Sequence, residues 1–209
     1  MTSEHQQHAT YGRMKSNPNI LFLRGVRVGP FAALYRPAAN LSGKDQYSAT
    51  CIISEEQLKF LEDEMKRSAK ALWKGDAEKI FKNLKSDFLA ARIREDKYLG
   101  SYPSVKVTRN TKTDKGNPLP APILKQRTFK GEPQKLCVEG EPGSVYDGCY
   151  VTLILEPKAY DFKGVKFDFK GMIFEKDGEP FLGGRGISDS DFDDLAEDVS
   201  EETEDDVSW

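Results

Sequence analysis

The chain has 209 residues, of which 38% are hydrophobic and 31% are charged, a composition that predicts one folded domain with a buried core. No apolar run approaches the ~20 residues needed to cross a bilayer, and the polar N-terminus lacks a signal-peptide core, so we expect a cytoplasmic protein. Three cysteines without a CxxC pair indicate a reducing compartment, and both histidines lie in the first eight residues. The folded body therefore has no imidazole for acid–base catalysis, and we predict no cofactor or metal.

The net charge of −3 is unevenly distributed. Residues 188–209 contain eleven acidic residues and no Lys or Arg, which gives this segment a charge of −11 and the rest of the chain a charge of +8. A basic body suits a polyanion, and an acidic tail can compete for the same surface. Because its few apolar residues are separated by charges that repel one another, we predict that the tail is disordered.

The tail ends in a large aromatic residue. Trp209, preceded by Asp205 and Asp206, has the character of an anchor that a basic-rimmed apolar pocket on a partner protein could capture. A tail that serves only solubility is the alternative, and such a tail does not need a C-terminal aromatic residue.

The first half of the body combines strands with helices. Residues 1–19 are predicted to be a flexible arm, and the patterns of 20–28 and 47–53 predict the first two strands. Between these strands we predict a loop that carries Tyr35, Arg36 and Lys44, an aromatic and two cations that suit the rim of a nucleic-acid groove.

A helical insertion is predicted after the second strand. Ser54 is the expected N-cap, Gln57 takes the capping-box position, and Gly75 follows the helix. The core stripe of this helix is predicted to be Leu58, Leu61, Met65, Leu72 and Trp73. A second helical pattern covers residues 80–88.

Four later segments are predicted to be strands: 98–109, a short one at 123–126, and 145–160 and 165–174, which are expected to form a hairpin. About five or six strands with inserted helices predict a mainly β protein with a small mixed barrel. The OB-fold, a five-stranded barrel, is the commonest such barrel that binds oligonucleotides.

Three glycine-aromatic motifs carry a family resemblance: Tyr98–Leu99–Gly100–Ser101–Tyr102, the segment from Val145 to Val151, and Lys176–Asp177–Gly178–Glu179–Pro180 with Gly183–Gly184–Arg185 after it. In this order and spacing they resemble a family of bacteriophage single-stranded DNA-binding proteins, related to the acidic-tailed replication protein of lytic podophages. The resemblance covers roughly residues 20–187. One departure is that 76–94 is more helix-like than the loop expected in the family.

The resemblance implies an OB-fold over 20–187 that binds single-stranded DNA without sequence preference in phage replication, recombination and repair, in the cytoplasm of the infected host cell. It also implies that the acidic tail contacts phage or host replication proteins and screens the DNA groove. The sequence leaves a homodimer open and points to no membrane partner.

Sequence-independent binding needs cations for phosphates and flat side chains on which bases stack. On the strand 98–109, alternation places Tyr98, Tyr102 and Lys106 on one face with Arg109 at its end, although half-buried tyrosines are the alternative. Tyr160, Phe162, Lys163 and Lys166 cluster at the hairpin turn, and the first two are the preferred stacking residues. Tyr150 and Arg185 complete the candidates, and Phe167 and Phe169 are ambiguous.

Other functions would require other residues. A nuclease would need several carboxylates around Mg²⁺, for which Asp161, Asp168 and Glu156 are the candidates, but scattered strand acids more often lie on solvated faces. No GxxxxGK[ST] loop is present, which argues against an ATP-driven helicase or recombinase. The remaining alternative is a replication or recombination adaptor that acts mainly through its acidic tail, with weak RNA or DNA binding by the body.

Overall fold

A computed structural model describes residues 9–79, 90–96, 100–128, 132–133, 135–160 and 164–181. The strands are β1 (Tyr11–Arg13), β2 (Leu21–Val28), β3 (Ala33–Ala39), β4 (Asp45–Ile52), β5 (Ala91–Asp96), β6 (Gly100–Asn110), β7 (Ile123–Lys125), β8 (Tyr150–Tyr160) and β9 (Gly164–Lys176), and α1 is Glu55–Trp73. The predicted mainly β fold with a helix after the second predicted strand is confirmed. The second helical pattern, at 80–88, and the tail, 188–209, lie outside the described residues.

The strands form one sheet, in the order β1-β2-β8-β9-β6-β4-β3, with β5 added to β6 and β7 added to β9. A further pairing of β2 with β4 makes β2, β4, β6, β9 and β8 a closed circuit of neighbours. In this circuit β6 and β9 are parallel and the other pairs are antiparallel. The described residues thus contain nine strands, more than the five or six predicted, because β1, β3 and β5 are added to them; β7 is the short strand predicted at 123–126.

Alternation along the strands separates a core from an outer face. On β9, Phe167 and Phe169 are completely buried, whereas Lys166 between Val165 and Phe167 is exposed. The two phenylalanines that were ambiguous in the sequence therefore belong to the core. Each fully buried side chain of this type contributes roughly 1.5 to 3 kcal/mol relative to an exposed one.

The helix α1 covers one side of this core. It begins as predicted, since the Ser54 hydroxyl accepts a hydrogen bond from the Gln57 N–H (3.2 Å) and Gln57 Oε1 accepts one from the Ser54 N–H (3.0 Å). Leu61, Met65 and Trp73 are buried on its inner side. Leu72 is 51% exposed, so its prediction as a core residue is wrong. Among the described residues, no helix has the length and apolar character that a membrane span requires.

Part of the predicted N-terminal arm is a strand. β1 pairs with β2, the ring of Tyr11 lies 4.9 Å from that of Phe60, and Arg13 forms an ion pair of 2.5 Å with Glu64. Residues 11–13 are therefore fixed to the body and are not part of a flexible arm. Three residues are too few to show a period, which is why the sequence pattern did not reveal this strand.

The predicted loop between the first two strands is also wrong at Tyr35 and Arg36, because both residues lie on β3. This strand pairs with β4, and its register shifts between Ala33 and Ala38. The irregularity, together with Pro37, removes the alternation by which a strand is recognised. Lys44 remains in the turn that joins β3 to β4.

Candidate nucleic-acid interface

Three lysines form a row across adjacent strands on the outer face of the sheet. Lys158 lies opposite Lys166 in the antiparallel pair of β8 and β9. On the other side of β9, Val107 of β6 lies beside Phe167, so continuing this parallel register by one residue places Lys106 beside Lys166. All three side chains are exposed. We call them the lysine row.

The lysine row concentrates positive charge, and among the described residues only Lys158 of the three forms ion pairs with carboxylates. Directly opposite residues on one face of a sheet have Cβ atoms about 4.5 to 5.5 Å apart, and like charges there are destabilising. Lys106 and Lys166 form no ion pair with a described residue, although Lys166 Nζ lies 5.7 Å from the centre of the Tyr160 ring. Such an arrangement is favourable when an anion binds across the three strands.

Two carboxylates lie two residues further along the same strands, where Glu156 of β8 is opposite Asp168 of β9. Asp168 accepts hydrogen bonds from Lys170 (2.7 Å), Arg109 (3.2 Å) and Lys158 (3.3 Å). Glu156 forms ion pairs with Lys170 (2.6 Å) and Lys158 (3.3 Å). We call Glu156 and Asp168 the carboxylate pair.

The protonation of the carboxylate pair reflects these cations. Burial by itself raises the pKa of Asp168 and of Glu156, but the hydrogen bond from Lys170 and the nearby ammonium groups outweigh it and hold both pKa values below their ordinary range. The same contacts outweigh the burial of Lys170 and raise its pKa. Within the part of the chain that the structure describes, no group of three His, Cys, Asp or Glu side chains is placed to hold a metal ion.

Five of the predicted site residues lie on this outer surface or at its edge. Lys106 and Lys166 are in the lysine row, and Tyr160, 38% exposed, is at the end of β8 beside Lys166. Tyr102 is half-buried on β6, four residues before Lys106. Arg109 is largely committed to the fold, because it donates to the Pro120 carbonyl (2.5 Å) as well as to Asp168.

The structure places four other predicted residues elsewhere. Tyr35 is half-buried, and its hydroxyl oxygen accepts a hydrogen bond of 3.0 Å from the Val145 N–H. Arg36 is exposed and forms an ion pair of 3.4 Å with Glu139. Tyr150 lies at the start of β8, about 33 Å of extended strand from Tyr160, with Lys176 Nζ 4.7 Å from its ring centre. These residues and the exposed Lys44 do not converge with the lysine row.

The remaining predicted site residues lie outside the described residues: Tyr98, Phe162, Lys163, Arg185, Asp205, Asp206 and Trp209. The sequence analysis did not name Lys158 as a site residue, although strand alternation places it on the same face of β8 as Glu156 and Tyr160. It also missed Phe31, for which the sequence carries no periodic signal. Phe31 stands at the edge of a cleft of about 720 Å³ between residues 31–38 and the segments 139–141 and 144–147.

Comparisons with known proteins show the family and the fold. The family model described as "Enterobacter phage Enc34, ssDNA-binding protein" matches residues 21–207. The chain is similar in fold to the single-stranded DNA-binding protein of bacteriophage Enc34 in complex with ssDNA, with 14% identity, a TM-score of 0.57, and coverage of 80% of this chain and 90% of that one. It is also similar to gp2.5, a single-stranded DNA-binding protein encoded by bacteriophage T7, with 16% identity, a TM-score of 0.51, and coverage of 90% and 98%.

A curated relative is protein p50 of Acyrthosiphon pisum secondary endosymbiont phage 1, which is 41% identical over 66 residues. The matched segment is 31% of this chain and 35% of that protein, so it spans about a third of the relative's length.

Proposed function

Since this chain belongs to the family of the Enterobacter phage Enc34 single-stranded DNA-binding protein, we propose that it binds single-stranded DNA across the lysine row. The observation that carries the proposal is the alignment of Lys158, Lys166 and Lys106 over three adjacent strands. Neighbouring strands are about 4.8 Å apart, so the row spans roughly 10 Å and can contact consecutive phosphates of an extended strand. No side chain in the row offers a bidentate fork for a base edge, which favours binding without sequence preference.

The strand circuit supports an OB-fold. Taken in chain order, β2, β4, β6, β8 and β9 would be barrel strands one to five, and OB-folds bind oligonucleotides on strands two and three and the loops beside them. Lys106 then lies on the third barrel strand. Phe162 and Lys163, which follow the fourth barrel strand in the sequence, and Tyr160 at the end of that strand would extend the binding face beyond the lysine row.

A fluorescence titration of the full chain with oligo-dT at several salt concentrations tests the proposal. Each lost phosphate contact reduces the salt slope of binding by about 0.7, so the variant with Lys106, Lys158 and Lys166 all changed to Ala should show a slope smaller by about 2 and an affinity on the order of 100-fold lower at 0.1 M salt.

The matched control changes Lys59, Lys66 and Lys74, which are exposed on or just after α1, to Ala. This control removes the same formal charge from another surface and should weaken binding much less. Equal losses in the two variants would mean that only net charge matters, and absent or salt-insensitive binding by the unmodified chain would refute the function itself.

The acidic tail gives the proposed function a second part. We propose that residues 188–209 compete with DNA for the basic face and recruit replication proteins through Asp205, Asp206 and Trp209, in phage replication, recombination and repair. β9 ends at Lys176, and 28 residues follow Phe181 in the sequence; a flexible chain of 28 residues would span about 30 Å, comparable to the roughly 33 Å of strand from Lys176 to Lys166. Deletion of 188–209 should tighten oligo-dT binding at low salt, whereas unchanged affinity would contradict the competition.

A further inference from the structure

Phe31 has an unusual combination of exposure and backbone conformation. Its side chain is 93% exposed, and its φ of 63° lies in the left-handed region that L residues with a bulky side chain rarely adopt. A side chain that is free of the core contributes little packing to offset such a conformation. Strained residues of this kind cluster at functional sites, where the surrounding structure holds them in place.

The structure around Phe31 shows what holds it. One carboxylate oxygen of Asp147 accepts a hydrogen bond of 2.6 Å from the Phe31 N–H, and the other accepts one of 3.3 Å from the Ala32 N–H. Burial raises the pKa of Asp147 and outweighs the opposite effect of these two hydrogen bonds. A half-buried carboxylate thus fixes the backbone at the point where the aromatic side chain enters solvent.

The position of Phe31 continues the line of the lysine row. Thr50 of β4 lies opposite Lys106 of β6, and the Thr50 carbonyl accepts a hydrogen bond of 2.8 Å from the Gly29 N–H. Gly29 is thus two strand spacings beyond Lys106, and Phe31 follows two residues later. At about 4.8 Å per strand and 3.3 Å per residue, Phe31 lies roughly 10 to 17 Å from the end of the row.

The cleft beside Phe31 fits a base better than a phosphate. Its lining includes the ring of Tyr35 and three carboxylates, those of Glu139, Glu141 and Asp147. Arg36 is paired with Glu139 and does not provide a free cation. Carboxylates repel phosphate, whereas they can accept hydrogen bonds from the N–H groups of bases, such as the N3–H of thymine.

We propose that Phe31 is a base-stacking residue of the single-stranded DNA path, at the end of that path beyond Lys106, and that Asp147 is its positioning residue. The inference rests on the proposed function. DNA that crosses the lysine row with its phosphates reaches Phe31 a few nucleotides later, where a base stacks on the exposed ring. The strain at Phe31 keeps this ring out of the core and available.

Substitutions at Phe31 test the stacking contact in the full chain. Phe31→Ala should weaken the binding of a 20-nucleotide oligo-dT by roughly 5- to 150-fold, the range for loss of one base–aromatic stack. Phe31→Trp should retain binding, and Phe31→Leu, which is apolar but not flat, should resemble Phe31→Ala. As a matched control, Leu72→Ala removes an exposed apolar side chain on α1 and should leave the affinity unchanged.

Thermal unfolding separates this role from a structural one. Glycine adopts a positive φ freely, so Phe31→Gly should melt at or above the wild-type temperature while binding DNA as weakly as Phe31→Ala. Asp147→Ala should lower affinity with Phe31 present and have little further effect on binding in Phe31→Ala. A melting temperature well below wild type in Phe31→Gly would identify Phe31 as structural and overturn the inference.

The outcomes also separate the inference from the proposed function. If the lysine-row variant loses binding while every Phe31 variant binds as wild type, the DNA path does not reach Phe31 and the inference is wrong while the function stands. If the unmodified chain fails to bind oligo-dT, both fail.

Discussion

The two faces of β9 differ in what their side chains contribute. The inner face carries Phe167 and Phe169, both completely buried, whereas the outer face carries Lys166 and the partly buried Asp168 between and beside them. Along one strand, buried apolar side chains that stabilise the fold thus alternate with charged side chains on the outer face. The difference teaches that stability and the proposed binding can be altered separately by substitutions of adjacent residues.

The charge on the outer face is unevenly distributed. Where Lys158 lies opposite Lys166, two like charges face each other. Two residues further along the strands, the carboxylate pair is surrounded by three cations. The excess positive charge is therefore local and ends within two residues along the strands. Under the proposed function, such a sharp limit would fix the line along which the DNA crosses the sheet.

The largest expected effect is on the inner face. Phe167→Ala removes a fully buried ring and leaves a cavity, which should lower the free energy of unfolding by about 3 to 5 kcal/mol. Urea unfolding measures this loss. The adjacent Lys166→Ala should stay within about 0.5 kcal/mol of wild type. If the two substitutions cost the same stability, the division between the faces is wrong.

A smaller effect is expected at the end of β8. Tyr160→Ala should weaken oligo-dT binding by about 1 to 3 kcal/mol, because it removes one flat ring beside the lysine row. Its stability should change little, since the ring is exposed. Titration and thermal melting of the same preparation would check both points, and a large fall in melting temperature with unchanged affinity would assign Tyr160 to the core.

The smallest effect concerns the carboxylate pair. The folded-state pKa of Asp168 and of Glu156 is lowered, so ionised carboxylates stabilise the fold above their ordinary pKa values, and this contribution is lost as pH falls below about 4.5 through the folded-state values. Asp168→Asn should lower the free energy of unfolding by about 1 to 2 kcal/mol at pH 7 and make stability depend less on pH between pH 7 and pH 3. Unfolding experiments between pH 7 and pH 3 would test this, and an unchanged pH profile would contradict it.

The same Asp168→Asn substitution also tests the difference in charge between the lysine row and the carboxylate pair. It frees Lys158, Lys170 and Arg109 from a shared partner, so DNA binding should tighten slightly at low salt. Weaker binding would mean that Asp168 positions these cations for DNA.

Local sequence signals predicted the local structure. The capping box at Ser54 and Gln57 located the start of α1, and alternation with a central turn located the β8–β9 hairpin. Lys106, Lys166 and Tyr160 were found as candidates because they lie on regular strands. Tyr35 and Arg36 were assigned to a loop because β3 lacks alternation, and Phe31 gave no signal, since exposure and backbone strain do not appear in a sequence pattern.

The sequence by itself determined the basic body, the acidic tail, the helix start and the face to which most strand residues belong, because each depends on composition or on neighbours a few positions apart. Only the tertiary structure decided that Lys106 lies beside Lys166 and that Phe31 lies beyond them. These positions result from the parallel pairing of β6 with β9 and the antiparallel pairing of β2 with β4, and both pairings join distant parts of the chain. Such pairings are set by how the whole core packs, which no local pattern encodes.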